Sequence, residues 1–139
     1  MQLRTFSAAL ALTLAAGFAF AQTASTPGAR VYFINMTNGQ HVKSPVPIQF
    51  GLSGMGVAPA GSTNPGTGHH HLIVDADTPP AGMPIPMDAQ HMHFGRGQTE
   101  MAVPLPPGNH TLQLVLADGG HVPHNPAVVS DKITVTVDP

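Results

Sequence analysis

Six histidines in this chain fall into three close pairs. His69 and His71 are two apart in an alternating stretch, His91 and His93 repeat that spacing, and His121 and His124 stand three apart in a Gly/Pro loop. Neutral imidazole offers a lone pair at neutral pH and is the commonest metal-ligating side chain. On an extended strand, residues two apart project from one face, so His69 with His71, and His91 with His93, are spaced to chelate one ion. Met92 lies between the second pair and adds a thioether sulfur. The candidate ligands are therefore His69, His71, His91, His93, His121, His124 and Met92. The chain has no cysteine, which excludes thiolate metal sites, iron–sulfur clusters and cysteine nucleophiles. Histidine-rich sites without cysteine suit zinc, copper or nickel, and thioether sulfur favours Cu(I). Met36, Met55, Met83, Met87, Met92 and Met101 lie among the histidine segments or in loops, so copper is expected ahead of zinc.

Other readings of these histidines have their own physical basis. A lone histidine is more often a surface or hydrogen-bonded structural residue, and His41 and His110 are read as non-ligands. His70 is in register with Leu72 and Val74 and reads as a buried, hydrogen-bonded core group. The three pairs together also fit a histidine-rich loop surface with no ion, or a cluster that titrates together near about pH 6 to 7.

Short strands must carry these residues. Fifteen glycines and fifteen prolines indicate many turns, and no segment keeps a helical period over about ten residues. Short apolar or alternating runs separated by Gly/Pro clusters place strands at residues 31–34, 46–52, 69–75, 91–94, 101–105, 110–116 and 133–137. Pro47 marks an edge or a strand start. About seven strands is the count of an Ig-like antiparallel β-sandwich, with a small β-barrel as the alternative; the Cys-Trp-Cys core of antibody domains is absent. In such an order, alternate loops lie at alternate ends. The loops after the second, fourth and sixth strands share one end, which gathers the three histidine pairs there. His41 and His110 fall at the opposite end. Asp75 and Asp118 are the carboxylates expected near the histidine end.

The N-terminus reads as an export signal. Arg4 precedes an apolar run from Phe6 to Phe20, and Ala19-Phe20-Ala21 is an A-x-A cleavage pattern. The expected organisation is a signal peptide at 1–21 cut after Ala21, a flexible tail at 22–30 and one β domain at 31–138, in a periplasmic or secreted protein. The run is short of the roughly 20 strongly apolar residues of a membrane span, so no span is expected in the mature protein. Charged residues make up 9% of the chain, against about 25% in an average domain. Nine histidines outnumber five Lys and Arg, which leaves no basic patch for nucleic acid or anionic lipid.

Several segments carry a family resemblance: Gly51-Leu52-Ser53-Gly54-Met55-Gly56-Val57-Ala58-Pro59-Ala60-Gly61, Gly68-His69-His70-His71-Leu72, His91-Met92-His93-Phe94-Gly95, Pro106-Pro107-Gly108-Asn109-His110-Thr111-Leu112 and His121-Val122-Pro123-His124. In their order and identity the chain resembles the bacterial exported domain-of-unknown-function family 4399, over roughly residues 31–137. That resemblance implies an exported β domain and no catalytic residue. In ligand chemistry alone, the histidine segments are also similar to periplasmic copper chaperones of the small β-sandwich type. No G-x-S-x-G, Ser-x-x-Lys or H-E-x-x-H is present, so no enzyme is expected. The expectation is a metal-binding protein, a copper binder or carrier, whose partners are the metal ion and a periplasmic or outer-membrane metalloprotein. The alternative is a non-enzymatic Ig-like envelope or adhesion module that binds protein or glycan, its histidines structural or pH-sensing.

Overall fold

The computed structural model describes residues 22–139; the expected signal peptide at 1–21 lies outside them. Among the described residues there are nine strands and no helix: β1 (Arg30–Phe33), β2 (Gln40–Val42), β3 (Val46–Ser53), β4 (Gly56–Val57), β5 (Thr67–Val74), β6 (His91–His93), β7 (Glu100–Val103), β8 (Gly108–Ala117) and β9 (Ile133–Val137). No helix among them is long and apolar enough to cross a membrane. Two sheets form, β1-β3-β7 and β2-β9-β8-β5, with β4 and β6 sharing the remaining edge of β5. The architecture is an all-β sandwich, and the described strands do not close into a barrel.

All seven expected strands are present, with ends shifted by a residue or two. Two were not anticipated. β2 and β4 are three and two residues long, carry no apolar alternation and pair in parallel, with β9 and β5 respectively. The larger sheet is therefore mixed, a correction to the antiparallel expectation. Backbone pairing alone makes these strands, and side-chain periodicity does not report it. Pro47 lies near the start of β3, ahead of Phe50, where pairing with β1 begins.

Alternation builds the core between the sheets. Val46, Ile48 and Phe50 of β3 meet Leu72 and Val74 of β5, Leu112, Leu114 and Leu116 of β8, and Val135 and Val137 of β9. β5 departs from alternation, because every residue from Gly68 to Val74 is buried. A strand buried on both faces needs a second cover. Ile73, Val115 and Ala117 form an apolar patch on the outer face, closed by Ile85 from the loop between β5 and β6. That loop is tied to the one after β8, where the Ile85 amide donates to the His121 carbonyl at 2.9 Å.

The segment read as a tail also touches the loop after β8. Ala24 bridges Asn125 in parallel, the Asn125 amide donates to the Thr23 carbonyl at 2.9 Å, and Thr23 Oγ1 donates to Asp118 at 2.7 Å.

Candidate metal centre

The stretch Gly68-His69-His70-His71-Leu72 obeys the two-residue period of a strand. His70 and Leu72 turn into the sandwich, while His69 and His71 turn to the outer face, beside Ala117 and Val115 of β8. On the other side of β5, His93 of β6 is the direct cross-strand partner of His71. Directly opposed residues share a face, so three imidazoles meet on the outer surface of the larger sheet. The loop after β8 folds back over them and supplies His121. One ring nitrogen from each of His69, His71, His93 and His121 lies within 4.8 Å of every other.

These donors converge tightly. Nε2 of His69 is 2.9 Å from Nε2 of His71 and 3.2 Å from Nδ1 of His121. A neutral imidazole nitrogen has one proton or one lone pair, not both. His69 Nε2 can therefore satisfy its two neighbours only in part. A cation at the shared point would take all the lone pairs together. Tetrahedral donors at metal bonds of about 2.0–2.1 Å stand about 3.3–3.4 Å apart, so the 3.2 Å pair is close to a ligand edge, while the 2.9 Å pair would open slightly and the wider separations, none above 4.8 Å, would close around an ion. In one respect the site departs from ordinary metal sites: Nδ1 of His69 and of His71 is buried with no partner, where a ligating imidazole usually gives its second N–H to a carboxylate or carbonyl.

Burial keeps the inner histidines neutral and so leaves their lone pairs available. The His71 pKa falls to about 3, through burial first and then repulsion by His69, His93 and His121. His69 falls to about 4, again by burial first and then by His93 and His121, with Asp118 opposing. His93 is lowered by burial and by His121. His69 and His71 are fully buried, whereas His93 and His121 are partly exposed and form the mouth.

Two features hold the mouth in place. His121 has a φ of +66°, a left-handed conformation that costs on the order of 1 kcal/mol outside glycine. Asp118 offsets this by caging the turn. Its Oδ1 accepts from the amides of Gly120 at 2.9 Å and Val122 at 3.1 Å, and its carbonyl accepts from the His121 amide at 3.0 Å. Gly95 provides the second. Its φ is ordinary, yet a Cβ there would overlap Cε1 and Nε2 of His93, so glycine is needed to seat that ring. The signals for these residues were present in the chain: an Asp-Gly-Gly turn at 118–120 and a glycine two residues beyond His93.

The other candidates are not in the group. His91 is one step farther along β6, opposite Ile73, and its Nδ1 donates to Asp88 at 2.7 Å. Met92 is on the other face of β6, paired with Leu72 and packed on the core, as strand alternation requires. His124 is fully buried with neither ring nitrogen partnered. It occupies the inner side of β5, where a Cβ on Gly68 would lie 2.8 Å from its Nε2 and 2.9 Å from Leu116 Cγ. The histidines thus gather on an outer sheet face beneath two loops rather than across the end of the sandwich. His70 is a core residue as expected, 5.3 Å from the Phe50 ring, but it has no hydrogen-bond partner, and burial lowers it to about 4. His41 pairs with Asp138 at 2.8 Å, and His110 with Asp75 at 2.6 Å, both apart from the cluster. Asp75 therefore serves His110, and Asp118 is the carboxylate near the group. Every buried side-chain polar atom without a partner among the described residues is an imidazole nitrogen.

No curated protein and no solved structure matches the chain. Residues 48–138, which span all of β5 through β9 and hence all four converging histidines, match the family model described as "Domain of unknown function (DUF4399)". The chain belongs to the DUF4399 family.

Proposed function

We propose that this domain binds one transition-metal ion through His69, His71, His93 and His121, as an exported copper-binding protein or carrier. The convergence of four ring nitrogens within 4.8 Å carries the reading. An all-nitrogen donor set suits divalent copper, zinc or nickel, and copper heads the affinity order among them. With the methionines outside the group, divalent copper rather than Cu(I) fits these four histidines. Four protein ligands leave no open position on a four-coordinate ion, which favours binding or carriage over catalysis. The partly exposed His93 and His121 give the ion a way in and out. Export rests on the sequence pattern of residues 1–21. The test is the metal content of untagged protein recovered from the bacterial envelope. About one copper or zinc per chain supports the proposal. Protein that holds neither, and takes up neither when supplied with the ion, favours the adhesion or pH-sensing alternative.

A further inference from the structure

A groove of about 430 Å³ runs along the free edge of β6, lined by Met87, Met92, Met101, His91 and His93 with Asp88 at its rim. Its sulfurs come from three separate parts of the chain: the loop before β6, β6 itself and β7. Met87 is 76% exposed and Met101 43% exposed, so neither is there to fill the core. His91 adds a prepared nitrogen donor. Its Nδ1 donates to Asp88 at 2.7 Å, which fixes the tautomer and leaves the Nε2 lone pair for a ligand. A carboxylate behind an imidazole is the arrangement that orients metal-ligating histidines.

From this we propose a second metal site, in the groove, specific for a soft monovalent ion: Cu(I), with Met87, Met101 and His91 as the donors. Thioether sulfur prefers Cu(I) over divalent ions and has no proton to lose. Asp88 is the one charged side chain in the lining, in keeping with a monovalent cation. His93 belongs to both the groove wall and the four-histidine group, so the two sites adjoin. The inference is independent of the proposal for the histidine cluster, since divalent zinc reports on one site and Cu(I) on the other.

The test uses the mature chain, Cu(I) under ascorbate with a chromophoric Cu(I) chelator as competitor, and Zn(II) in a separate titration. The double variant Met87→Leu/Met101→Leu keeps the apolar bulk of both side chains. It is expected to lose at least about tenfold in Cu(I) affinity, leave Zn(II) affinity unchanged and remove sulfur from the Cu(I) X-ray absorption spectrum. Bound Cu(I) is also expected to slow peroxide oxidation of Met87 and Met101, read by peptide mass spectrometry. Unchanged Cu(I) affinity in the double variant, or a Cu(I) spectrum with nitrogen alone, would overturn the site. So would binding of an apolar peptide at the groove with no Cu(I) uptake.

Discussion

Nε2 of His69 and Nε2 of His71 are 2.9 Å apart although one residue separates them on the same strand. Side chains two apart on a strand ordinarily stand clear of each other, roughly 6–7 Å at Cβ given a rise of about 3.3 Å per residue. Here the two rings lean together, with centroids 4.8 Å apart. The inner floor of the site is therefore set by β5 before any loop closes over it. Changing either residue to Ala is expected to lower Zn(II) or Cu(II) affinity by about 100-fold or more, since it removes a direct ligand from a four-donor set. His91→Ala should change it by less than about threefold. Competition against a chelator of known affinity measures both.

Gly95→Ala tests the mouth. The added methyl collides with the His93 ring and should swing it out of the group without touching the core. Metal affinity is expected to fall about tenfold or more, while the urea midpoint moves by an amount within about 1 kcal/mol of stability. Gly68→Ala is the contrasting case, because its methyl meets the backbone oxygen of Ala117 on the paired strand as well as buried His124 and Leu116. It should destabilise the fold by about 1–3 kcal/mol as an overpacked core does.

Acid should unfold the metal-free protein early. His69, His70 and His71 are lowered to about 4, 4 and 3 from 6.5. A folded-state pKa below the unfolded one means that the unfolded chain binds more protons as pH falls below 6.5. Stability is therefore full above about 6.5 and lost from there down toward the folded values. Each histidine contributes a limiting slope of about 1.4 kcal/mol per pH unit. His70→Leu, which leaves the four ligands in place, should flatten the fall of the urea midpoint between about pH 6 and pH 4.5 by up to that slope. An equal slope in the variant would show that His70 is protonated in the folded protein.

The sandwich was legible because its inner faces alternate: Val46, Ile48 and Phe50, or Ile133, Val135 and Val137, each carry a period of two. The spacing of His69 with His71 also placed two imidazoles on one face, as the register of β5 shows. Alternation also implied that Met92 must face away from His91 and His93, a consequence the proximity of these residues in the chain concealed. The outer cover was not legible. It depends on where Ile85 and the turn at 118–121 land, and loops of Gly and Pro carry no period from which to read that. His124 went the same way, since a loop residue three positions after His121 can fall on either face of the sheet.

His110 and Asp75 form a pair at 2.6 Å, and each shifts the other: the hydrogen bond to Asp75 raises His110, and the bond from His110 lowers Asp75 against the cost of burial. The raised histidine contributes stability below its unfolded pKa of about 6.5, lost as pH rises through the folded value. The lowered carboxylate contributes above about 3.8, lost as pH falls. The pair should thus stabilise most between about pH 4 and 6.5. His110→Gln is expected to destabilise more at about pH 5.5 than at about pH 9, in urea titrations. Its metal affinity should stay within about twofold, because His110 is apart from the four-histidine group.

X-ray absorption of protein loaded with one equivalent of Zn(II) tests the central claim most directly. A shell of three or four imidazole nitrogens at about 2.0–2.1 Å, reduced in count by His69→Ala and by His71→Ala but not by His91→Ala or His124→Leu, is the predicted result. A shell dominated by oxygen, or one that His91→Ala alters and His71→Ala does not, would contradict it.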